Sequence, residues 1–126
     1  MQRRYSAPNR LFAYGTLRDP ARVRTLLGRG CRTIAASLKN FALRRGRWPY
    51  LVPVEGGAVD GDVLLDLGAA DFARLDEYEA TRPTLLAGKR RKLYTRGVIE
   101  VIASDGRLLR CWIYLPSLTD WREAWR

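Results

Sequence analysis

Glu79 closes the segment Asp71-Phe72-Ala73-Arg74-Leu75-Asp76-Glu77-Tyr78-Glu79. At about 100° per residue along a helix, it falls about 20° from Phe72 and about 40° from Leu75. It therefore lies within the apolar stripe that such a helix turns to the core. Glu77 points to the opposite side and Asp76 sits near the edge. Two readings are open: the helix ends there and Glu79 bends out to water, or the carboxylate is partly buried. Acidic side chains are seldom buried without a partner or a purpose. Burial disfavours the charged form, and a carboxyl so tuned suits a group that takes up a proton and returns it.

The chain contains no histidine. That excludes a Ser-His-Asp triad, a Cys-His dyad, and HExxH or Cys2His2 zinc sites. Proton transfer must come from Asp, Glu, Tyr, Cys or Lys. A second chemical feature is the run Tyr14-Gly15-Thr16-Leu17-Arg18, between an apolar strand and a helix start. Backbone N–H groups at such a turn can cradle an anion, although strand-Gly-helix turns are common in a purely structural role. Arg18 is a candidate partner for a substrate carboxylate or a solvated surface residue. Tyr114 either lines a pocket with its hydroxyl or packs in the core.

The elements that must position these groups follow from pattern. Leu11 to Tyr14 reads as a short buried strand. Asp19-Pro20 signals a helix start, with the helix over Ala21 to Leu27 and a stop at Gly28. Thr33 to Leu38 and Phe41 to Arg44 read as strands joined by a hairpin turn at Lys39-Asn40. Trp48 to Pro53, with two prolines, reads as an extended loop or edge segment. Glu55-Gly56-Gly57 reads as a turn and Val59 to Leu67 as a strand. Ala69 to Ala80 is the second helix. Leu93 to Ala103 and Leu108 to Leu115 form a hairpin through Ser104-Asp105-Gly106. A last short helix is predicted over Asp120 to Arg126, with Trp121 and Trp125 on one face. The whole reads as one α+β domain over residues 1–126, with residues 1–9 an irregular N-terminal arm. Its sheet is small, mixed and mostly antiparallel, barrel-like, and flanked by a few helices.

The 126 residues, 47% hydrophobic, suit a globular domain with a proper core. The net charge is +10, and 20 of the 23 basic residues are Arg. The charge is segregated: residues 1–50 are net +11, residues 51–85 net −6, and residues 86–126 net +5. A basic surface concentrates anionic ligands. It also keeps nucleic-acid binding open, and Arg44-Arg45-Gly46-Arg47-Trp48 has the basic-plus-aromatic character of such contacts. No nucleic-acid motif accompanies the charge, so that reading is disfavoured. Lys89-Arg90-Arg91-Lys92 reads as a solvated loop. Cys31 and Cys111 read as two reduced thiols, and Met1 to Pro8 contain no hydrophobic stretch. The expectation is a cytoplasmic protein without a membrane span.

Five features, taken in order, resemble the gamma-glutamylcyclotransferase-like superfamily. Tyr14-Gly15-Thr16-Leu17-Arg18 looks like its YG[ST]LR signature. Pro49-Tyr50-Leu51-Val52-Pro53 resembles its YPALVP stretch, and Val59-Asp60-Gly61-Asp62-Val63 its V-x-G-E-V strand. Leu75-Asp76-Glu77-Tyr78-Glu79 resembles LDxYEG. Tyr94-Thr95-Arg96 and Trp112-Ile113-Tyr114 resemble the YxR strand and the closing A-W-V-Y strand. The resemblance covers roughly residues 10 to 115. It implies a small mixed barrel or highly curved sheet with flanking helices. It also implies cyclisation of a γ-glutamyl amine or peptide to 5-oxoproline, with release of the amine.

The resemblance makes Glu79 the catalytic carboxylate. It makes Tyr14, Gly15, Thr16 and Leu17 the turn that binds the glutamyl α-carboxylate and neighbouring atoms; Arg18 and Tyr114 stay candidates for further substrate contacts on their residue types alone. It implies no cofactor and no metal. Ala80 replaces the usual Gly, Val63-Leu64-Leu65 lacks a common Tyr, and residues 81–93 form a longer segment than most members have. These departures point to an altered leaving-group pocket. They also motivate the alternative of a binding module that keeps the fold without catalysis.

Overall fold

The computed structural model describes residues 8–45, 49–80, 84–86, 89–91 and 94–116. The expected C-terminal helix over 120–126 and residues 1–7 of the arm lie outside the described residues.

Strand β1 (Leu11–Ala13) leads through a 3-10 turn (Thr16–Arg18) into helix α1 (Pro20–Leu27). Asp19 caps α1 by accepting the Ala21 N–H at 3.0 Å, and Pro20 occupies the first helical position, where no N–H is needed. Gly28 ends the helix in a left-handed conformation, φ 74°, and its N–H returns to the Arg24 carbonyl at 2.8 Å. Both helix signals read from the sequence stand.

Strands β2 (Thr33–Arg45) and β3 (Pro49–Leu64) form a long antiparallel pair. Here the expected elements differ. Lys39-Asn40 is not a hairpin turn, and the segments on either side belong to one strand. Asn40 does adopt a turn-like φ of 67°, but it sits at an irregularity where the register shifts between Lys39 and Phe41. Its Oδ1 accepts the Gly56 N–H from the facing strand at 3.1 Å. Residues 49–57, expected as loop and turn, belong to β3. Such a bulge bends and twists a strand without ending it.

Helix α2 (Ala69–Ala80) follows, with the expected bounds. Short strands β4 (Thr84–Leu86) and β5 (Lys89–Arg91) then pair with each other. The basic run at 89–91 is thus partly strand rather than loop. Strands β6 (Tyr94–Ala103) and β7 (Leu108–Pro116) form the last hairpin. Five strands, the short β1 among them, close as a barrel in the order β1-β3-β2-β6-β7, completed by a parallel contact between β1 and β7, Leu11 facing Trp112.

Alternation along the strands divides the core in two. Phe12, Leu38, Val59, Val63, Val101, Cys111 and Ile113 fill the barrel. Leu11, Ala13, Leu64 and Tyr114 face outward onto Leu17, Val23 and Leu27 and onto Phe72 and Leu75 of α2. Gly61 is buried where a Cβ would come within 2.4 Å of the Ala13 carbonyl oxygen and 2.6 Å of the Phe12 ring, so only glycine lets β1 lie this close. Both cysteines are free, Cys111 in the barrel and Cys31 half-buried, and burial pushes both thiols up. No helix among the described residues is long and apolar enough to cross a membrane.

Asp71 anchors the start of α2. Its Oδ2 accepts the Gly68 N–H at 2.9 Å, half of a capping box, and the Arg29 guanidinium at 2.6 Å. Burial opposes its charge, but the Gly68 N–H and Arg29 outweigh it and hold the carboxyl below its ordinary value of 3.8. The folded state thus favours the ionised form. The stability this supplies is complete above the ordinary carboxylate range and drains away as the pH falls through the lower, folded-state value. Asp71→Ala is expected to lower unfolding free energy by about 1–2 kcal/mol at neutral pH. In urea titrations at successive pH values, the gap between wild type and variant should shrink below pH 3.8. A gap that stays constant through the acid range would remove the charge from this account.

Candidate active site

Glu79 lies near the C-terminal end of α2, and its side chain is 6% exposed. It is the one charged side chain among the described residues that is buried. The helix does not end early and release it to water. The stripe of Phe72, Leu75 and Glu79 faces the sheet as spacing predicts, with Phe72 and Leu75 in the core beside β1 and β7.

The Tyr14–Leu17 turn meets the same end of α2. β1 ends at Ala13, and Gly15 opens the 3-10 turn, with the Arg18 N–H returning to the Gly15 carbonyl at 3.0 Å. Leu17 is buried among α1 and α2 residues and pins the turn. The Thr16 hydroxyl lies 3.0 Å from the Tyr78 hydroxyl, one residue before Glu79. The Tyr14 hydroxyl donates to the Tyr114 backbone carbonyl on β7. A Cβ built on Gly15 would meet nothing within 4 Å. Unlike Gly61, this glycine is not demanded by packing, and it leaves open space beside the backbone.

Tyr114 is buried. Its hydroxyl donates to Asp76 Oδ1 at 2.6 Å. Burial first, then that bond and the Asp76 charge, hold the phenol firmly protonated, and the Glu79 charge acts in the same direction. Tyr114 and Glu79 therefore lie within electrostatic reach of each other. Asp76 also takes Arg96 of β6, with Nε 3.1 Å from Oδ1 and Nη2 3.2 Å from Oδ2. The Arg96 guanidinium is itself held between two aromatic faces, 4.6 Å from the Phe72 centroid and 4.3 Å from that of Trp112.

The structure thus brings Glu79, Tyr14, Gly15, Thr16, Leu17 and Tyr114 together where α2, the first turn and the end of β7 converge. Arg18 follows directly on this turn, but its guanidinium is already engaged: Nε donates to Asp62 Oδ2 of β3 at 2.9 Å. Two residues outside the expected site join it. Tyr78 touches Thr16, and Asp76 collects Tyr114 and Arg96. Asp76 was visible only as a helix-edge acid, because its partners lie 20 and 38 residues further along the chain. Among the described residues, no cluster of three or more Asp, Glu, Cys or His side chains is arranged to hold a metal ion.

Comparison with known proteins places this geometry in context. AIG2-like protein B of Arabidopsis thaliana is 28% identical over 98 residues, covering 75% of this chain and 51% of the relative. AIG2-like protein C is 33% identical over 98 residues, with the same coverage. AIG2-like protein A is 25% identical over 125 residues, covering 92% of this chain and 71% of the relative. The chain spans about half the length of proteins B and C. In three dimensions, an Arabidopsis thaliana protein solved in solution superposes with a TM-score of 0.72 at 23% identity, over 94% of this chain and 74% of that one. A structure described as gamma-glutamyl cyclotransferase superposes with a TM-score of 0.69 at 19% identity, over 86% and 66%. At these identities the two superpositions establish a shared fold. The family profile described as "Gamma-glutamyl cyclotransferase, AIG2-like" matches residues 11–124, and the chain belongs to that family.

Proposed function

We propose that the protein is a cofactor-independent cyclotransferase acting on a γ-glutamyl amine or peptide, with Glu79 as general acid and base. The observation that carries this reading is the burial of Glu79 beside the Tyr14–Leu17 turn.

In this reading the turn holds the α-carboxylate of the glutamyl unit against the open side of Gly15. Glu79 removes a proton from the substrate's α-ammonium group. The free amine attacks its own γ-carbonyl carbon, a C–N bond forms, and the carbonyl oxygen becomes an oxyanion. Glu79 then returns that proton to the leaving nitrogen and takes a second one from the new ring nitrogen, which attack leaves with two hydrogens and a positive charge; the released amine carries this second proton away, so Glu79 ends ionised as it began. The γ C–N bond breaks, giving 5-oxoproline and the free amine. The nucleophile belongs to the substrate, so the protein supplies no activated side chain. Fixing amine and carbonyl in contact makes the step unimolecular, and such positioning is worth up to about 7–11 kcal/mol. In this reading backbone N–H groups near Gly15 also stabilise the developing oxyanion charge.

Asp76 is a positioning residue in this scheme. It lies one helical turn before Glu79 and ties α2 to both β6 and β7. In this reading the departures at Ala80 and in residues 81–93 are the sequence features that select the leaving group.

Incubation with a panel of γ-glutamyl amines and γ-glutamyl amino acids should release 5-oxoproline, detected by mass spectrometry. Glu79→Gln should lower turnover by at least about 100-fold with folding retained. Equal turnover in the two proteins would sink the role of Glu79. Ligand-induced thermal protection with no turnover across the panel would favour the non-catalytic binding module instead. Gly15→Ala should leave the melting temperature unchanged while raising KM, because the added methyl meets no protein atom and fills the space given to substrate.

Asp76→Ala should cost about 2–3 kcal/mol of stability by leaving the Tyr114 hydroxyl and Arg96 without their acceptor. It should also reduce kcat more than it changes KM. A variant as stable and as active as wild type would show that α2 is placed without this carboxylate.

A further inference from the structure

The barrel has a second mouth, at the end opposite Glu79. β1 and β7 run parallel, and both carry the candidate site at their C-terminal ends. At their N-terminal ends lies a groove of about 370 Å³, lined by Arg10, Arg32 and Arg107, with Asp66 and Asn9, over Ile34, Leu65 and Leu109. Leu109 and Tyr114 are five residues apart on β7, so the groove and the candidate active site are separated by roughly 17 Å along the strand.

The floor is apolar and belongs to the barrel interior. Leu109 is a buried member of that core, and Ile34 and Leu65 pack against it. These side chains close the barrel without help from charge. Three guanidiniums nevertheless crowd the rim, one from before β1, one from before β2 and one from before β7. Two carboxylates, Asp66 and Asp105, stand beside these three guanidiniums, so the rim keeps an excess of positive charge.

Two of the three have carboxylate partners in exposed ion pairs. Arg32 holds Asp66 through Nε at 3.1 Å and Nη2 at 2.7 Å, and Arg107 holds Asp105 through Nε at 2.8 Å. Exposed pairs of this kind contribute little to stability, so the fold loses little when an anion takes the place of a carboxylate. Each guanidinium carries five N–H donors, so both arginines retain donors beyond those bonds. Arg10 has no carboxylate partner among the described residues; its Nε donates to the Arg110 carbonyl at 3.0 Å.

We infer that this groove is a binding site for a small organic phosphate. A phosphoryl group offers several acceptor oxygens to guanidiniums that approach from different strands, and guanidinium forks match that geometry. The apolar floor receives a flat or aliphatic body attached to the phosphate. Mouths of β-barrels are frequent sites for ligands with this division of polar and apolar surface. The site is independent of the chemistry proposed at Glu79.

Adenosine monophosphate, inorganic phosphate and adenosine serve as probes, titrated calorimetrically into the full chain at fixed ionic strength. The monophosphate is expected to bind saturably, inorganic phosphate at least tenfold more weakly, and adenosine not measurably. Arg10→Gln and Arg107→Gln should each weaken binding at least tenfold, whereas Arg24→Gln on α1 and Glu79→Gln should leave it intact. Amide chemical shifts on the wild-type protein give a readout that does not depend on any variant. They should move at residues 32–34, 65–66 and 107–109 and stay fixed at 14–17. Heat or shifts reproduced by sodium chloride alone, full affinity in both groove variants, or shifts centred on the 14–17 turn would overturn the assignment. So would binding only to mixed-sequence oligonucleotides with affinity growing with length, which would make this face a nucleic-acid surface.

Discussion

One carboxylate sets where the second helix lies on the barrel. Asp76 receives the Tyr114 hydroxyl from β7 and the Arg96 guanidinium from β6, and Arg96 is gripped in turn by Phe72 of α2 and Trp112 of β7. An apolar stripe alone specifies which face of a helix turns inward. It does not specify sliding or a rotation of some tens of degrees, because hydrophobic contact is not directional. Charge-assisted hydrogen bonds are directional, and two of them on one side chain fix both freedoms. Glu79 lies three residues on, about 60° around the helix from Asp76. With Asp71 anchored to Arg29 at the start of the helix and Asp76 held near its end, Glu79 arrives beside the Tyr14–Leu17 turn.

The barrel makes this arrangement possible by using both faces of one very short strand. β1 has three residues, yet Phe12 points into the barrel while Leu11 and Ala13 serve the helices. A closed sheet has no free edge to protect, so so short a strand can persist between β3 and β7. The close approach at Gly61 is the steric condition for it. The turn that leaves β1 then has to emerge at the helix side of the barrel, next to α2.

How far the sequence foretold this depends on the range of the interactions involved. α1 and α2 were legible because their signals are local: Asp19-Pro20 and Gly28 for one, the 3.6-residue stripe for the other. Glu79 was legible as a position on the inward stripe, though spacing alone could not choose between burial and escape to water. The Lys39-Asn40 turn was misread for an instructive reason. Asn40 takes the φ of a turn residue, but its side chain is satisfied by Gly56 from the facing strand, and the chain continues straight on. Only the partner strand distinguishes a bulge from a hairpin. Asp76 was undervalued for the same reason, since Arg96 and Tyr114 lie far along the chain. Whether Arg18 serves a ligand or the surface stayed open in the sequence, because its partner, Asp62, sits 44 residues away.

The segregation of charge along the chain finds its meaning at this level. Arg18–Asp62, Arg29–Asp71, Arg32–Asp66 and Arg96–Asp76 each join an arginine from one of the basic stretches to an acid from residues 51–85. Each exposed pair is weak on its own. Together they oppose pairing in any other order, because a displaced acidic middle would leave its carboxylates facing one another. Arg18, Arg29 and Arg32 keep exposed side chains in these pairs, whereas Glu79 is the one charged side chain held inside among the described residues. An anionic substrate is drawn toward such a surface, yet the group that would handle its proton is shielded from the same field of solvent and salt. A protein without histidine that is to move protons at neutral pH needs a carboxyl group in such a setting, and Asp76, three residues earlier, helps to hold the helix that carries it.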